Sequence, residues 1–272
     1  MQRISPSITN FNFTYDRLSP GLIFILCDLS AKMKKVAQQL EFAVRGIVTE
    51  YLNYCISGVD IKNRVYITLI GYGNNNPHII KKGWARDWGD TAKNAHHNNI
   101  SIISEKIEND YDCESVWLYT KDLFDEMVSE MMAMSGMLGL GSPSIFNITN
   151  RLPQNKSKCM QFINDLKDLS VISYRHISSA EPSKYEGTFS ARAAIINAVL
   201  LDKYDNEQDV FLPNIESTYS SRTISFWIEN STEIESDYFN FIGLLEENSS
   251  PVKLFAASHE GDLVASLALR AF

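Results

Sequence analysis

Apolar residues along the chain form continuous runs that alternate with segments of three- to four-residue spacing, as buried strands and amphipathic helices do. Residues 21–27 are a continuous apolar run, which is typical of a strand covered on both faces of a sheet. From 31 to 55 apolar residues recur every third or fourth position, which predicts a long helix ending before Gly58. Residues 64–71 predict a second strand. Strand, helix and strand in this order open a βαβ fold.

The same alternation continues to the end of the chain and predicts an α/β fold with a doubly wound, mostly parallel sheet flanked by helices on both faces. Two polar stretches, at about 74–114 and 203–250, interrupt it. Neither is rich in Gly, Pro or Ser as a linker would be, so we expect a single domain over residues 1–272. The remaining predicted elements are helices at 122–138, 156–169 and 259–270, strands at 144–149, 171–177 and 252–256, and a further strand at 222–228.

Charge and cysteine content narrow the classes of partner and compartment. The 25 Lys and Arg residues against 33 Asp and Glu residues give a net charge of −8, which opposes a nucleic-acid backbone. The four cysteines are too few and too far apart for a disulfide scaffold or a Cys-x-x-Cys metal site. The first apolar run ends at Asp28 and is too short for a secretion signal or a membrane helix. We therefore expect a cytoplasmic protein that binds neither nucleic acid nor membranes.

The loop after the first strand carries the clearest candidate chemistry. Asp28-Leu-Ser30-Ala-Lys32 follows a buried strand and opens a helix, which is where open α/β sheets bind ligands. Asp and Ser two residues apart direct oxygen atoms to the same side. A purely structural alternative is that Ser30 caps the helix and Asp28 interacts with the helix dipole.

This loop resembles the Asp-x-Ser-x-Ser sequence of the metal-ion-dependent adhesion site of von Willebrand factor type A domains. Other segments resemble that family in the same order, most closely its bacterial stand-alone members. They are the second strand at 64–73, Thr120 at the family's metal-proximal threonine, the strand at 145–150, and the last strand and helix at 252–270. The resemblance implies a metal site formed by Asp28, Ser30 and Thr120.

Two departures from the family pattern predict a degenerate metal site. Lys32 stands where the family has its second serine ligand, and Asn150 stands where it has an aspartate. A charged lysine has no lone pair to offer a cation, and asparagine removes one negative charge. We expect no cofactor, with Mg²⁺ as the alternative. The sequence leaves open whether the site holds a metal or is filled by the Lys32 ammonium turned inward beside Asp28. We also expect the acidic residues to lie away from this loop.

By this resemblance, the protein is a non-enzymatic protein-interaction module that uses the top of the sheet. Lys32 and Asn150 would meet an acidic group of the partner. Trp84 and Trp88, which lie beside charged residues, fit either a recognition surface, where aromatic residues dominate interface energetics, or local packing. Stand-alone members of the family imply a bacterial multi-protein signalling, stress or defence system.

Two further functions remain open. Asp28 and Thr149 are also similar to the nucleophile and the later Ser or Thr of Mg²⁺-dependent haloacid-dehalogenase-like phosphatases. The second aspartate of that family, two positions after the nucleophile, is Ser30 here, so the usual proton donor is missing. A self-assembling structural subunit is the third possibility. The sequence identifies neither the partner nor the oligomeric state.

Overall fold

A computed structural model of the chain describes residues 21–53, 55–56, 59–60, 65–73, 76–89, 112–133, 143–168, 170–174, 187–190, 193–234 and 251–270. The strands are β1 (Gly21–Asp28), β2 (Cys55–Ile56), β3 (Val59–Asp60), β4 (Val65–Tyr72), β5 (His78–Trp84), β6 (Ser144–Thr149), β7 (Ser170–Tyr174), β8 (Gly187–Ser190), β9 (Ala194–Leu200), β10 (Val210–Phe211), β11 (Glu233–Ile234), β12 (Val252–Lys253) and β13 (Phe255–Ser258). The α-helices are α1 (Ala37–Asn53), α2 (Ser115–Ala133), α3 (Lys156–Lys167), α4 (Arg222–Glu229) and α5 (Gly261–Ala265), with 3₁₀ helices at Ala31–Val36, Ala85–Trp88 and Ser266–Arg270.

The main sheet has seven strands in the order β10-β13-β9-β6-β1-β4-β5. The five inner strands are parallel, and β5 and β10 pair antiparallel at the two ends of the sheet. The predicted mostly parallel α/β sheet is confirmed. The carboxyl ends of the five parallel strands lie on one side, which we call the carboxyl edge; it carries Asp28, Tyr72, Thr149, Leu200 and Ser258.

Helices cover both faces of this sheet because the side chains of β1 alternate between two cores. Leu22, Phe24 and Leu26 pack with residues of α2, α3 and α4. Ile23, Ile25 and Cys27 pack with residues of α1 and α5 on the other face. This two-sided burial is why β1 is continuously apolar in sequence. No helix among the described residues is long and apolar enough to cross a membrane.

Residues 222–228 form a helix, and the predicted strand there is wrong. The Ser221 side chain accepts the backbone N–H of Ile224 at 3.5 Å and so caps the amino end of α4. Ile224, Trp227 and Ile228 are buried, and their spacing of three and four positions is helical. An isoleucine- and aromatic-rich segment of eight residues satisfies the strand and helix patterns alike, and the serine cap decides between them.

The strand predicted at 171–177 does not join the main sheet. Its described part, β7, pairs antiparallel with β8 in a separate two-stranded sheet. The strand that does lie between β6 and β13 is β9, which the periodicity analysis missed. It also missed β5, which lies inside the polar stretch at 74–114.

The helix predicted from Asp122 begins seven residues earlier, at Ser115. Asp112 Oδ1 accepts the backbone N–H groups of Glu114 and Ser115 at 3.0 and 2.9 Å and so caps the helix there. The predicted end of that helix, residues 134–138, lies outside the described residues. Thr120 therefore lies within α2 and does not open it.

Candidate functional site

Asp28 ends β1 at the carboxyl edge, and its side chain is fully buried. Its Oδ1 accepts the backbone N–H of Ser30 at 2.9 Å. Its Oδ2 accepts the hydroxyl of Thr149, the last residue of the neighbouring strand β6, at 2.8 Å. The adjacent parallel strands β1 and β6 thus bring together the two residues that the sequence analysis singled out, and the carboxylate is held from both sides.

Gly73, directly after β4, closes a third side of the Asp28 site. It has φ +124°, a conformation that favours glycine. A Cβ atom at this position would lie 3.0 Å from the backbone nitrogen of Ser30 and 3.2 Å from Asp28 Oδ1. The backbone N–H of Leu29 also donates to the carbonyl of Tyr72 at 2.8 Å. The loops after β1 and β4 are therefore in close contact.

Asn150 links the loop after β6 to the loop after β1. Its Nδ2 donates to the backbone carbonyl of Lys32 at 3.1 Å. The Lys32 side chain is exposed, whereas Asp28 is fully buried. The structure therefore does not form the inward-turned Lys32 ammonium, one of the two arrangements that the sequence left open. Lys32 contributes its backbone to the site and presents its side chain at the surface.

Ser30 precedes the 3₁₀ helix Ala31–Val36 at the N-cap position, but its side chain makes no capping hydrogen bond. Ser30 Oγ and Asn150 Oδ1 are buried and have no hydrogen-bond partner within the part of the chain that the structure describes. The Asp28 carboxylate accepts the backbone N–H of the N-cap residue Ser30 itself. Two oxygen atoms at the site thus keep unused lone pairs.

Thr120 is buried, and its hydroxyl donates to the backbone carbonyl of Val116 at 2.7 Å within α2. This is the usual hydrogen bond of a threonine inside a helix. Because α2 starts earlier than the sequence predicted, the helical geometry and not the loop geometry determines where this hydroxyl bonds.

The residues at this point do not fit the divalent cation that the family resemblance implies. Asp28, Ser30, Thr120 and Asn150 supply one carboxylate among them, and both oxygens of that carboxylate accept hydrogen bonds from the chain. A buried Mg²⁺ needs several oxygen ligands in octahedral geometry and compensation of its charge. Over the described residues, no group of three or more His, Cys, Asp or Glu side chains is arranged to hold a metal ion.

A buried chain of polar side chains starts beside this site and crosses one face of the sheet. The Tyr72 hydroxyl donates to Asn147 Oδ1 at 2.8 Å, and Asn147 Nδ2 donates to Asn197 Oδ1 at 3.0 Å. Asn197 Nδ2 in turn donates to Ser231 Oγ at 3.0 Å, next to the end of α4. Burial, together with the negative charge of nearby Asp28, raises the pKa of Tyr72, so its hydroxyl stays protonated and remains a donor. Inward-facing Asn residues in β6 and β9 were the available sequence signal, and the sequence analysis did not use it.

An acidic loop also lies at the carboxyl edge, so the expectation that acidic residues lie away from the site is wrong. The loop follows β9, and Asp202 forms an ion pair with Lys35 of the 3₁₀ helix Ala31–Val36 at 3.1 Å. At its far end, His259 Nδ1 lies 2.8 Å from Asp209 Oδ1. The loop after β9 is tied both to the element that follows Asp28 and to the end of β13.

Trp84 and Trp88 do not form a recognition surface at this edge. Trp88 is fully buried in the core beside α1, and its ring lies under the Lys81 ammonium at 4.7 Å. Trp84 is half-buried and packs edge-on against Tyr66 with ring centroids 5.4 Å apart. It pairs with Tyr66 near the start of β4, at the opposite edge of the sheet from Asp28. Of the nearby charged residues, Arg86 and Asp87 are exposed in the 3₁₀ helix and pair with each other at 3.6 Å.

No family model and no curated relative matches the sequence. Similar solved structures include proximal thread matrix protein 1 from the mussel byssus, with a TM-score of 0.49 and 9% identity over 93% of this chain and 47% of that one. They also include the SpRpn10 VWA domain, with a TM-score of 0.43 and 10% identity over 93% of this chain and 95% of that one. A third is the TFIIH p34 N-terminal domain, with a TM-score of 0.46 and 11% identity over 67% of this chain and 81% of that one. Von Willebrand type A domains are thus among the structures that this chain is similar to. The assignment of the α/β fold rests on its own strand order and two helical layers.

Proposed function

We propose that this chain is a non-catalytic protein-recognition module that binds its partner at the carboxyl edge, around the loop from Asp28 to Lys32. The observation that carries the proposal is the exposed Lys32 side chain on a backbone held by the Asn150 amide at 3.1 Å. A charge on an anchored loop loses less conformational freedom when it binds than a charge on a free loop. The carboxyl edge is also where open α/β sheets bind their ligands.

The Lys32 ammonium would bind a carboxylate or another acidic group of the partner. In von Willebrand type A domains a bound metal completes its coordination with a carboxylate of the partner. Here the Lys32 ammonium supplies the positive charge for the same kind of group. From the resemblance to bacterial stand-alone members, we expect such a partner to belong to a signalling, stress or defence system of the bacterial cytoplasm. The three buried thiols of Cys27, Cys113 and Cys159, which form no disulfide in the structure, support a reducing compartment.

A non-catalytic role is supported by the state of Asp28. Its carboxylate is fully buried and accepts hydrogen bonds from Ser30 and Thr149, so an incoming phosphate ester has no open path to it. Hydrolysis of a generic aryl phosphate by the wild type, lost in Asp28→Asn, would contradict this part of the proposal.

The binding test compares two charge reversals that differ in position alone. Tagged wild type, Lys32→Glu and Lys158→Glu are used to capture proteins from the native cell, and the captured proteins are quantified by mass spectrometry. Lys158 is an exposed lysine on α3 and serves as the matched control. We expect Lys32→Glu to weaken capture of the specific partner by at least about tenfold, because like charges then face each other. Equal capture by both variants would refute recognition through Lys32.

A further inference from the structure

We infer that the hydrogen bond from Asn150 Nδ2 to the Lys32 carbonyl holds the two site loops together in place of a cation. Residues 32 and 150 then determine whether a hydrogen bond or a bound cation can link the loops. The bond spans 3.1 Å and joins the loop after β6 to the loop after β1, directly beside the Asp28 to Thr149 hydrogen bond. The inference concerns how the site is built and is independent of the proposed partner.

The chemistry of residue 150 decides whether this link can form. An asparagine amide nitrogen donates a hydrogen bond, whereas an aspartate carboxylate is an acceptor only. The Lys32 carbonyl is also an acceptor, so Asp at position 150 would lose the link and place a second negative charge near the buried Asp28. Without a cation, that arrangement brings together two acceptors and two like charges.

The remaining atoms show what the site lacks for a cation. Ser30 Oγ and Asn150 Oδ1 are buried oxygen atoms with no hydrogen-bond partner among the residues that the structure describes. Their lone pairs are of the kind that hard divalent cations use. Lone pairs are therefore present, and negative charge is the missing component. A carboxylate at position 150 would supply it, and a hydroxyl in place of the Lys32 ammonium would remove a positive charge and offer one more oxygen atom.

The test is a gain of metal binding. The double variant Lys32→Ser/Asn150→Asp and the wild type are titrated with Mn²⁺ by isothermal calorimetry and by thermal unfolding. We expect no specific Mn²⁺ binding to the wild type. We expect one Mn²⁺ per double-variant molecule, and a Tm rise of about 5 to 10 °C when free Mn²⁺ is about 100 times Kd. The matched control is Lys158→Ser/Asn164→Asp, which makes the same charge changes on exposed residues of α3; it should behave as the wild type does.

Two results would overturn the inference: micromolar Mn²⁺ binding by the wild type, or a folded double variant, checked by far-UV circular dichroism, that binds no Mn²⁺. If the double variant does not fold, Asn150→Ala decides the question through amide hydrogen exchange in the wild-type background. Removal of the link should speed exchange of the Ser30 and Met33 amides about tenfold or more relative to those in the middle of α1. Unchanged exchange at Ser30 and Met33 would show that the Asn150 amide does not hold the loop.

Discussion

At the scale of single residues, the Asp28 site depends on one glycine that sequence reasoning did not select. Gly73 has φ +124° and lies where a Cβ atom would be 3.0 Å from the Ser30 nitrogen. The atoms in contact are backbone and a buried carboxylate, which cannot move away as the end of a flexible side chain could. An apolar strand ending in Gly-Tyr-Gly indicates a tight turn, but only the structure shows that the turn faces Asp28.

We expect Gly73→Ala to lower the free energy of unfolding by about 1 to 3 kcal/mol, because the left-handed backbone is strained for alanine and the Cβ presses on the Ser30 backbone. The matched control is Gly89→Ala, where a Cβ meets no described residue within 4 Å. This control should change stability by less than about 0.5 kcal/mol. Urea unfolding of both variants measures the difference. Equal effects would mean that Gly73 is not held against the Asp28 loop.

At the scale of elements, the end of β13 and the loop after β9 are joined by a clasp formed by His259, Asp209 and Asp205. His259 Nδ1 donates to Asp209 Oδ1 at 2.8 Å, and Nε2 donates to the carbonyl of Asp205 at 3.3 Å. Both ring nitrogens donate only when the ring is protonated. The Asp209 hydrogen bond is the main cause of the raised pKa of His259. Burial alone would raise the pKa of the Asp209 carboxyl. The hydrogen bonds that this carboxyl accepts from His259 outweigh burial, and the pKa is lowered.

These pKa shifts predict how the clasp depends on pH. Because the His259 pKa is raised, its contribution is complete below about pH 6.5 and is lost as pH rises through the folded pKa. Because the Asp209 pKa is lowered, its contribution is complete above about pH 4 and is lost at lower pH. Both side chains are partly exposed, at 29% and 47%, so solvent screening limits the pair to about 0.2 to 1 kcal/mol.

The measurement is the free energy of unfolding of wild type and His259→Gln in urea at pH 6 and pH 8.5. We expect the stability lost by the variant to be larger at pH 6. A loss of the same size at both pH values would show that His259 acts through its shape and not through its charge.

The strands and helices around the site show how much of the fold the sequence predicts. The α/β class, the buried β1 and β6, and the position of Asp28 and Thr149 at one edge of the sheet follow from apolar runs and from the rule that parallel strands end on one edge. The contact of the acidic loop with the site did not follow, because it depends on β9, whose position between β6 and β13 is a matter of strand order. The prediction that Thr120 opens the helix was wrong, because the helix capped by Asp112 begins at Ser115, seven residues before the predicted start. Pairing order depends on residues distant in sequence, and a cap depends on a single polar side chain at the helix end; the periodicity of apolar residues encodes neither.

At the scale of the whole molecule, the central strand β1 belongs to both hydrophobic cores. Leu26 packs into the core beneath α2, α3 and α4, and its neighbour Ile25 packs into the core beneath α1 and α5. Both side chains are fully buried. Loss of β1 would therefore open both cores at once, because it would divide the sheet between β6 and β4. This geometry predicts that the two layers unfold together.

We expect Ile25→Ala and Leu26→Ala each to lower the free energy of unfolding by about 2 to 5 kcal/mol, since both remove a large buried side chain. In each variant, far-UV circular dichroism and tryptophan fluorescence should give the same urea midpoint. The fluorescence reports on both faces, because Trp88 lies in one core and Trp117 and Trp227 lie in the other. The control Leu118→Ala removes an exposed leucine, at 43%, and should cost less than about 1 kcal/mol. A fluorescence transition that separates from the dichroism transition in either core variant would show that one layer unfolds alone, and the shared strand would then not couple the two faces.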